Sequence, residues 1–160
     1  MGSTTFEQTA AKLGGETTVR GVLATTCEEL VVLLDATACV VSRVIGDLLV
    51  GLDEHTLSGR PLEHGHEYLI SDYPLTREVV ESGEPKRVSR LDADADAKEA
   101  DLLEKLGFDS LLMVCLPSGG ECWGLVEVYA QEARFDDDQA ELTRRLARLA
   151  GERLAQLEPA

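Results

Sequence analysis

The sequence lacks any excess of basic residues. Of its 160 residues, 15 are Lys or Arg and 30 are Asp or Glu, which gives a formal net charge of −15 at pH 7. Nucleic acids and anionic membranes bind proteins largely through Lys and Arg, so neither is expected as a direct partner.

Long apolar runs are also missing. No stretch approaches the ~20 residues that a membrane-spanning helix needs. Residues 1–12 do not show the basic segment followed by an apolar one that marks a secretory signal. Both absences make the cytoplasm the expected location.

Motifs of covalent catalysis are absent as well. The chain contains no G-x-S-x-G, no P-loop and no glycine-rich dinucleotide fingerprint. Its four cysteines, Cys27, Cys39, Cys115 and Cys122, lie in apolar segments and form no C-x-x-C pair, which is typical of buried thiols. An enzyme is therefore not predicted.

What the sequence does have is a central β-hairpin. Residues 110–116 are an almost unbroken apolar run, residues 117–121 carry turn chemistry around Gly119 and Gly120, and residues 122–130 return as a second β-favouring segment. Strands this apolar must be covered on both faces, so the pattern predicts that they lie in the middle of a sheet.

Helical periodicity marks the two ends of the chain. Apolar residues recur every three or four positions from Val19 to Leu34 and again from Leu142 to Leu157. Thr4 with Glu7 suggests a capping box for a short preceding helix, and Thr17 or Thr18 should open the longer one. We expect the sheet to be too small to cover Leu146, Leu149 and Leu154, which would then form an exposed interface.

Shorter elements fill the middle of the chain. Residues 38–45 and 48–52 should form a hairpin around Gly46-Asp47, followed by a long polar loop over 53–66 and a brief strand at 67–70. A helix beginning at Pro74 and ending at Gly83, an edge strand over 86–91, and a helix capped by Asp96 with Glu99 and ending at Gly107 follow.

These elements predict an α+β fold. Hairpin links favour a central antiparallel sheet of five to six strands. The N- and C-terminal helices should share one face, and the short helices and loops should cover a pocket on the other. We expect a single domain over residues 1–160, with a core at about 19–157 and an N-terminal helix and linker at 1–16.

Three segments, residues 72–85, 92–117 and 124–154, resemble a GAF domain. Their diffuse apolar patterns and punctuating residues are specific for a fold and much less so for a function. The resemblance implies a regulatory domain that binds a small molecule between the sheet and the middle helices, in a GAF/PAS-like arrangement. The implied ligand-binding residues are Tyr68, Asp72, Tyr73, Thr76, Leu91, Met113, Glu127 and Tyr129.

The chain departs from two branches of that family. Phytochrome GAF domains attach a bilin to a cysteine next to a histidine, and this sequence has no Cys-His pair. The GAF-fold reductase of free methionine sulfoxide carries cysteines in a region that corresponds to residues 53–110, which hold none here. The resemblance therefore leaves the cofactor, if there is one, unidentified.

Glu127 is the most informative single residue. Strand alternation places it on one face with Trp123, Leu125 and Tyr129. A carboxylate in a central strand costs several kcal/mol unless it is paired or faces water. Glu127 should therefore either meet a cation such as Arg43 or Arg90, which is the slightly favoured interpretation, or face a polar cavity.

Two other groups of residues allow a chemical interpretation. Cys115 and Cys122 flank the hairpin turn on one face and could form a reversible disulfide, or could be two small buried groups. His55, His64 and His66, with Glu63 and Glu67, could hold a metal or haem, but a solvated loop is the simpler interpretation, and no metal is predicted. The aspartates at 92–96 and 136–138 lack the EF-hand pattern and fit helix caps.

The predicted function is that of a non-catalytic sensor. A small molecule would occupy the pocket and shift the packing of the terminal helices, which should pair with those of a second copy in a homodimer. A signalling output protein is a further expected partner. The alternatives are a ligand-free dimerisation scaffold and a thiol-based redox sensor or methionine sulfoxide reductase, of which the reductase is disfavoured.

Overall fold

The computed structural model of the chain describes residues 5–62, 67–131 and 135–157. The helices are α1 (Phe6–Gly15), α2 (Val19–Leu33), α3 (Pro74–Ser82), α4 (Ala97–Leu106) and α5 (Asp137–Leu157). The strands are β1 (Ala38–Ile45), β2 (Leu48–Thr56), β3 (Glu67–Leu69), β4 (Lys86–Ser89), β5 (Ser110–Ser118) and β6 (Glu121–Ala130), and a short 3-10 helix spans Ile70–Asp72.

The six strands form one antiparallel sheet in the order β3-β2-β1-β6-β5-β4. The β5–β6 hairpin therefore lies inside the sheet, and the short strands β3 and β4 form its edges. Gly119 and Gly120 both have positive φ angles, of 64° and 81°, which suit the two-residue turn between β5 and β6. The predicted central hairpin, antiparallel sheet and α+β class are confirmed.

Each face of the sheet carries its own apolar core. One core, the helix-face cluster, joins α1, α2 and α5 to strand residues such as Cys39, Val114 and Val126. The other, the cavity-face cluster, joins α3 and α4 to Met113, Leu125 and Tyr129. This is the predicted division between the terminal helices and the short middle helices.

Local capping signals account for most helix ends. The hydroxyl of Thr18 accepts from the Gly21 N–H, and the Asp96 carboxylate accepts from the Glu99 N–H. Gly83 and Gly107 end α3 and α4 in the left-handed conformation. The first helix differs from prediction, because its capping box is formed by Thr5 and Gln8; Thr4 lies outside the described residues.

Three expectations about β2, β6 and α5 are wrong. Residues 53–56, predicted as loop, continue β2 because they pair with β1. Trp123 packs against the helix-face cluster rather than beside Glu127, since β6 has an unpaired extra residue there, a β-bulge that reverses the alternation. Leu146 and Leu154 are buried and Leu149 is half-buried against that same cluster, so α5 has no exposed apolar stripe.

None of the helices in the described part of the chain is both long enough and apolar enough to cross a membrane.

Candidate functional site

A cavity of about 310 Å³ opens on the face of the sheet opposite the terminal helices. We call it the sheet cavity. Its walls come from β1, β2, β3 and β6, from the segment after β2, and from the end of α4. Its lining residues are Val40, Ser42, Gly51, Leu52, Asp53, Glu54, Leu62, Tyr68, Leu106, Glu127 and Tyr129. None of these described residues is a Lys, Arg or His.

Strand register sets the floor of the sheet cavity. Val40 of β1 lies opposite Glu54 of β2 on one side and opposite Glu127 of β6 on the other, and Met113 of β5 follows Glu127. Residues directly opposite in adjacent strands share a face, so these four side chains form one row across the sheet. Two strand spacings, about 10 Å, separate the backbones that carry the two carboxylates.

Glu127 lies at the centre of this row with only 7% of its surface exposed. The Tyr129 hydroxyl donates a hydrogen bond to Glu127 Oε2 at 3.0 Å. The expected ion pair is not formed, because Arg43 stacks over the Trp123 ring and donates to the Trp123 carbonyl, while Arg90 pairs with Asp109. The structure thus replaces the favoured ion-pair interpretation of Glu127 with its alternative, a carboxyl group that faces a cavity.

Burial changes the acidity of this group. Burial, and after it the nearby Glu99 carboxylate, raise the pKa of Glu127, and the hydrogen bond from the Tyr129 hydroxyl lowers it; the net result is a shift from 4.5 to about 7. Burial and the Glu127 carboxylate likewise raise the pKa of the Tyr129 hydroxyl well above its usual range. A carboxyl group of this kind changes its charge near neutral pH and responds to any cation or donor that enters the cavity.

A second buried carboxyl lies nearby on α4. Glu99 is 1% exposed and accepts a hydrogen bond from the Thr76 hydroxyl at 2.8 Å. The same hydroxyl lies 3.4 Å from Met113 Sδ. Burial raises the pKa of Glu99, and the Thr76 hydrogen bond opposes that effect. Glu99 therefore ties α4 to α3 next to the sheet cavity, where it also faces Glu127.

The predicted ligand-binding residues divide into three groups. Tyr68, Glu127 and Tyr129 line the sheet cavity. Thr76 and Met113 are buried beside it, and Tyr73 reaches it only through an edge-to-face contact with the Tyr68 ring, at a centroid distance of 5.7 Å. Two residues lie apart from it, since Asp72 is exposed in the 3-10 helix and Leu91 is 49% exposed beyond β4.

Sequence reasoning missed the contribution of β2. Glu54 Oε2 accepts a hydrogen bond from the Leu62 N–H at 2.8 Å, which holds the segment after β2 against the cavity. The stretch from Asp53 to Thr56 has no apolar alternation, because it borders a cavity instead of a core, so its strand character depends on pairing with β1. No local signal in the sequence identified it.

The hairpin cysteines are joined. Cys115 and Cys122 form a disulfide, with their Cα atoms 5.7 Å apart, on the cavity face of the sheet. Cys27 and Cys39 are free and buried. The expectation of buried free thiols is therefore wrong for Cys115 and Cys122, which form the alternative disulfide, and is confirmed for Cys27 and Cys39.

The described residues contain no group of His, Cys, Asp or Glu that could hold a metal ion. His64 and His66, together with Glu63, lie outside the described residues, and His55 belongs to β2. The aspartates Asp96 and Asp136 serve as helix caps, as predicted.

Solved structures with the same architecture include bilin-bound proteins and phytochrome domains. The far-red-absorbing dark state of JSC1_58120g3 with bound biliverdin IXa has a TM-score of 0.81 at 16% identity, over 95% of this chain and 98% of that one. The phycoerythrobilin-bound GAF domain of a cyanobacterial phytochrome gives 0.77 at 19% identity, over 95% and 93%. The chromophore-binding domain of bacteriophytochrome RpBphP3 from R. palustris gives 0.81 at 10% identity, and this chain covers 60% of it.

Identities this low establish a shared fold only. A comparison with curated proteins finds no match. The model of one protein family, the GAF domain, matches residues 18–154. Since that match covers most of the 160 residues and the sheet, helices and faces agree with the solved GAF structures, the chain belongs to the GAF domain family.

Proposed function

We propose that this protein is a non-catalytic sensory domain that binds a small molecule in the sheet cavity. One observation carries the proposal: a cavity of about 310 Å³ lies over the central strands, and a buried carboxyl and a tyrosine hydroxyl converge at its floor. That volume is at the lower end of the range for ligand pockets. Structural neighbours with bound biliverdin or phycoerythrobilin support the same use of the fold.

The lining indicates what kind of ligand would fit. Apolar and aromatic walls such as Leu62, Leu106 and Tyr68 favour an apolar body. Glu54 and Glu127 favour a cationic or hydrogen-bond-donating end, since no basic side chain lies among the described lining residues. Covalent bilin attachment does not fit, because Cys27 and Cys39 are buried and Cys115 is bonded to Cys122, so none of the four cysteines offers an accessible free thiol.

Signalling would pass through the terminal helices. Ligand binding would favour one packing of β6 and its neighbours, and α5 packs on the other face of the same sheet. The same proposal includes a homodimer that forms through these helices and passes the signal to an output protein.

The test is native mass spectrometry of the protein purified from its own host. We expect a small molecule to co-purify with the wild type. It should be lost in Val40→Phe, because the phenyl ring would fill the space above the cavity floor. Val44→Phe is the matched control, because Val44 lies on the same strand outside the cavity lining. The ligand-free scaffold would be favoured by two results together: the wild-type protein carries no bound mass, and wild type and Val40→Phe behave alike in every binding assay.

Redox sensing by the hairpin is a second candidate function, favoured by the Cys115–Cys122 disulfide. A dithiol reductant would attack the sulfur of Cys122, the more exposed of the two, and release the Cys115 thiolate. The attacking dithiol supplies two electrons and two protons and becomes a disulfide itself. The hairpin contacts α5 directly, since the Ser118 hydroxyl donates to the Gly151 carbonyl at 3.1 Å.

The redox candidate predicts that reduction loosens α5. Amide hydrogen exchange over residues 146–154 should become several-fold faster when the wild-type protein is reduced, because the hairpin loses a cross-link beside its contact with α5. Cys115→Ser should exchange at one rate with or without reductant. Unchanged exchange in a wild-type sample whose mass shows the open disulfide would contradict this function.

A further inference from the structure

A second depression lies beside the sheet cavity and shares two of its walls. It has a volume of about 460 Å³, and Leu62 and Leu106 line both spaces. We call it the basic depression. Its other lining residues are Thr37, Thr56, Ser58, Arg60, Pro61, Lys105, Phe108 and Gln131. The sheet cavity and the basic depression therefore adjoin each other at these two leucines.

The two spaces carry opposite charge. Among the described residues, acidic and no basic side chains line the sheet cavity, whereas Arg60 and Lys105 and no acidic side chain line the basic depression. Within the described ranges, neither Arg60 nor Lys105 forms an ion pair, although Arg77, Arg87 and Arg90 all do. Both cations line one depression, in a chain with twice as many acidic as basic residues.

The backbone that carries Arg60 is held in place. The Thr56 hydroxyl donates to the Arg60 carbonyl at 2.8 Å, and the Arg60 N–H donates to the Ser58 hydroxyl at 3.2 Å. Gly59, which lies between Ser58 and Arg60, has a φ of 75°, a conformation that glycine adopts readily. Lys105 is fixed on the last turn of α4, next to the shared wall residue Leu106.

We infer that the basic depression is an anion subsite for the ligand of the sheet cavity. The inference rests on the proposed function and narrows the ligand to one chemical class. Such a ligand has a cationic or donor-bearing end at Glu127 and a carboxylate or phosphate group at Arg60 and Lys105. The hydroxyls of Thr37, Thr56 and Ser58 border the same space and suit the oxygens of either anion.

Two single-site probes test the parts separately by amide chemical-shift titration. Inorganic phosphate, with acetate in a parallel titration, reports on the basic depression, and hexylamine reports on the sheet cavity. We expect phosphate or acetate to shift the amide signals of residues 58–62 and 105–106. The double variant Arg60→Ala/Lys105→Ala should weaken that binding by about three- to tenfold, as loss of two exposed ion pairs implies.

Arg20→Ala/Lys98→Ala is the matched control, since it removes the same charge from exposed positions on α2 and α4. Equal weakening in both double variants, or anion-induced shifts spread evenly over the surface, would overturn the anion subsite. Failure of hexylamine to shift signals near Glu127 and Tyr129 would instead count against the proposed function. The relative response to phosphate and acetate decides which anion the subsite takes.

Discussion

Glu127 combines two properties that rarely occur together: it lies in the centre of a sheet, and no cation in the described part of the chain pairs with its carboxylate. Its carboxyl is 7% exposed, and its hydrogen-bond donor is the neutral hydroxyl of Tyr129. An isolated buried charge is costly, so the folded protein favours the protonated form. This is the physical origin of the pKa of about 7.

Replacement of Glu127 by Gln should remove a pH dependence from the folding stability. A pKa raised from 4.5 to about 7 means that the folded state holds the proton more tightly than the unfolded state. That stabilisation is complete below pH 4.5 and is lost as the pH rises through 7, by roughly 3 kcal/mol. Urea unfolding at pH 5 and at pH 8 measures this difference. Between these two pH values the free energy of unfolding should fall further for the wild type than for Glu127→Gln, by about that amount.

Glu99, Tyr68 and Tyr129 face the same group and remain in both proteins, so the difference between the two isolates Glu127. Glu99 has a raised pKa of its own and adds a pH dependence of the same sign to each. If the free energy of unfolding changed with pH in the same way for wild type and variant, ionisation of Glu127 would not destabilise the folded state. That result would remove the electrostatic basis of the proposed site.

At the scale of secondary-structure elements, the central hairpin and α5 approach each other closely. Gly151 lies on the sheet-facing side of α5, and a Cβ atom at this position would overlap the carbonyl oxygen of Pro117. The Ser118 hydroxyl donates to the Gly151 carbonyl at the same place. The absent side chain therefore allows the last helix to rest directly on the backbone of β5.

Gly151→Ala should destabilise the protein by about 1–3 kcal/mol, because the helix must move away from the hairpin to make room for the methyl group. Thermal or urea unfolding measures the effect. Gly14→Ala is the control: Gly14 is also helical but has open space around it, so alanine there should be neutral or stabilise by up to about 1 kcal/mol. If Gly151→Ala were as stable as the wild type, α5 would not be packed closely against the hairpin backbone.

The whole molecule uses its terminal helices to complete its own core. The Arg153 guanidinium donates to the Glu16 carbonyl, and Arg145 lies over the Phe6 ring. These two contacts join α5 to α1. The outer face of α5 is left with charged residues such as Arg148 and Glu152. A homodimer through these helices would thus have a polar interface instead of the apolar one expected from the sequence.

The proposed homodimer should accordingly be weak and sensitive to salt. Sedimentation velocity over a wide range of protein concentration should show reversible association that decreases as ionic strength rises, because screening weakens contacts between exposed charges. A tight dimer that ignores salt would require an apolar surface outside α5. A monomer at every concentration would exclude this part of the proposal.

The sequence by itself determined the elements and their layering. Caps at Thr18 and Asp96, left-handed glycines at Gly83 and Gly107, and the turn at Gly119-Gly120 are signals within a few residues of the structure that they produce. Helical periodicity and the doubly apolar hairpin likewise dictate which faces must be buried. For this reason the α+β class, the central hairpin and the two covered faces could all be predicted.

Tertiary structure alone decided the site. The extra residue in β6 that turns Trp123 to the helix face, the extension of β2 to Thr56, and the row from Glu54 to Met113 all result from pairing between strands distant in sequence. The partner of Glu127 was decided in the same way, since Arg43 and Arg90 found other contacts. A cavity is what packing leaves unfilled, so it depends on every wall at once and has no local sequence signal.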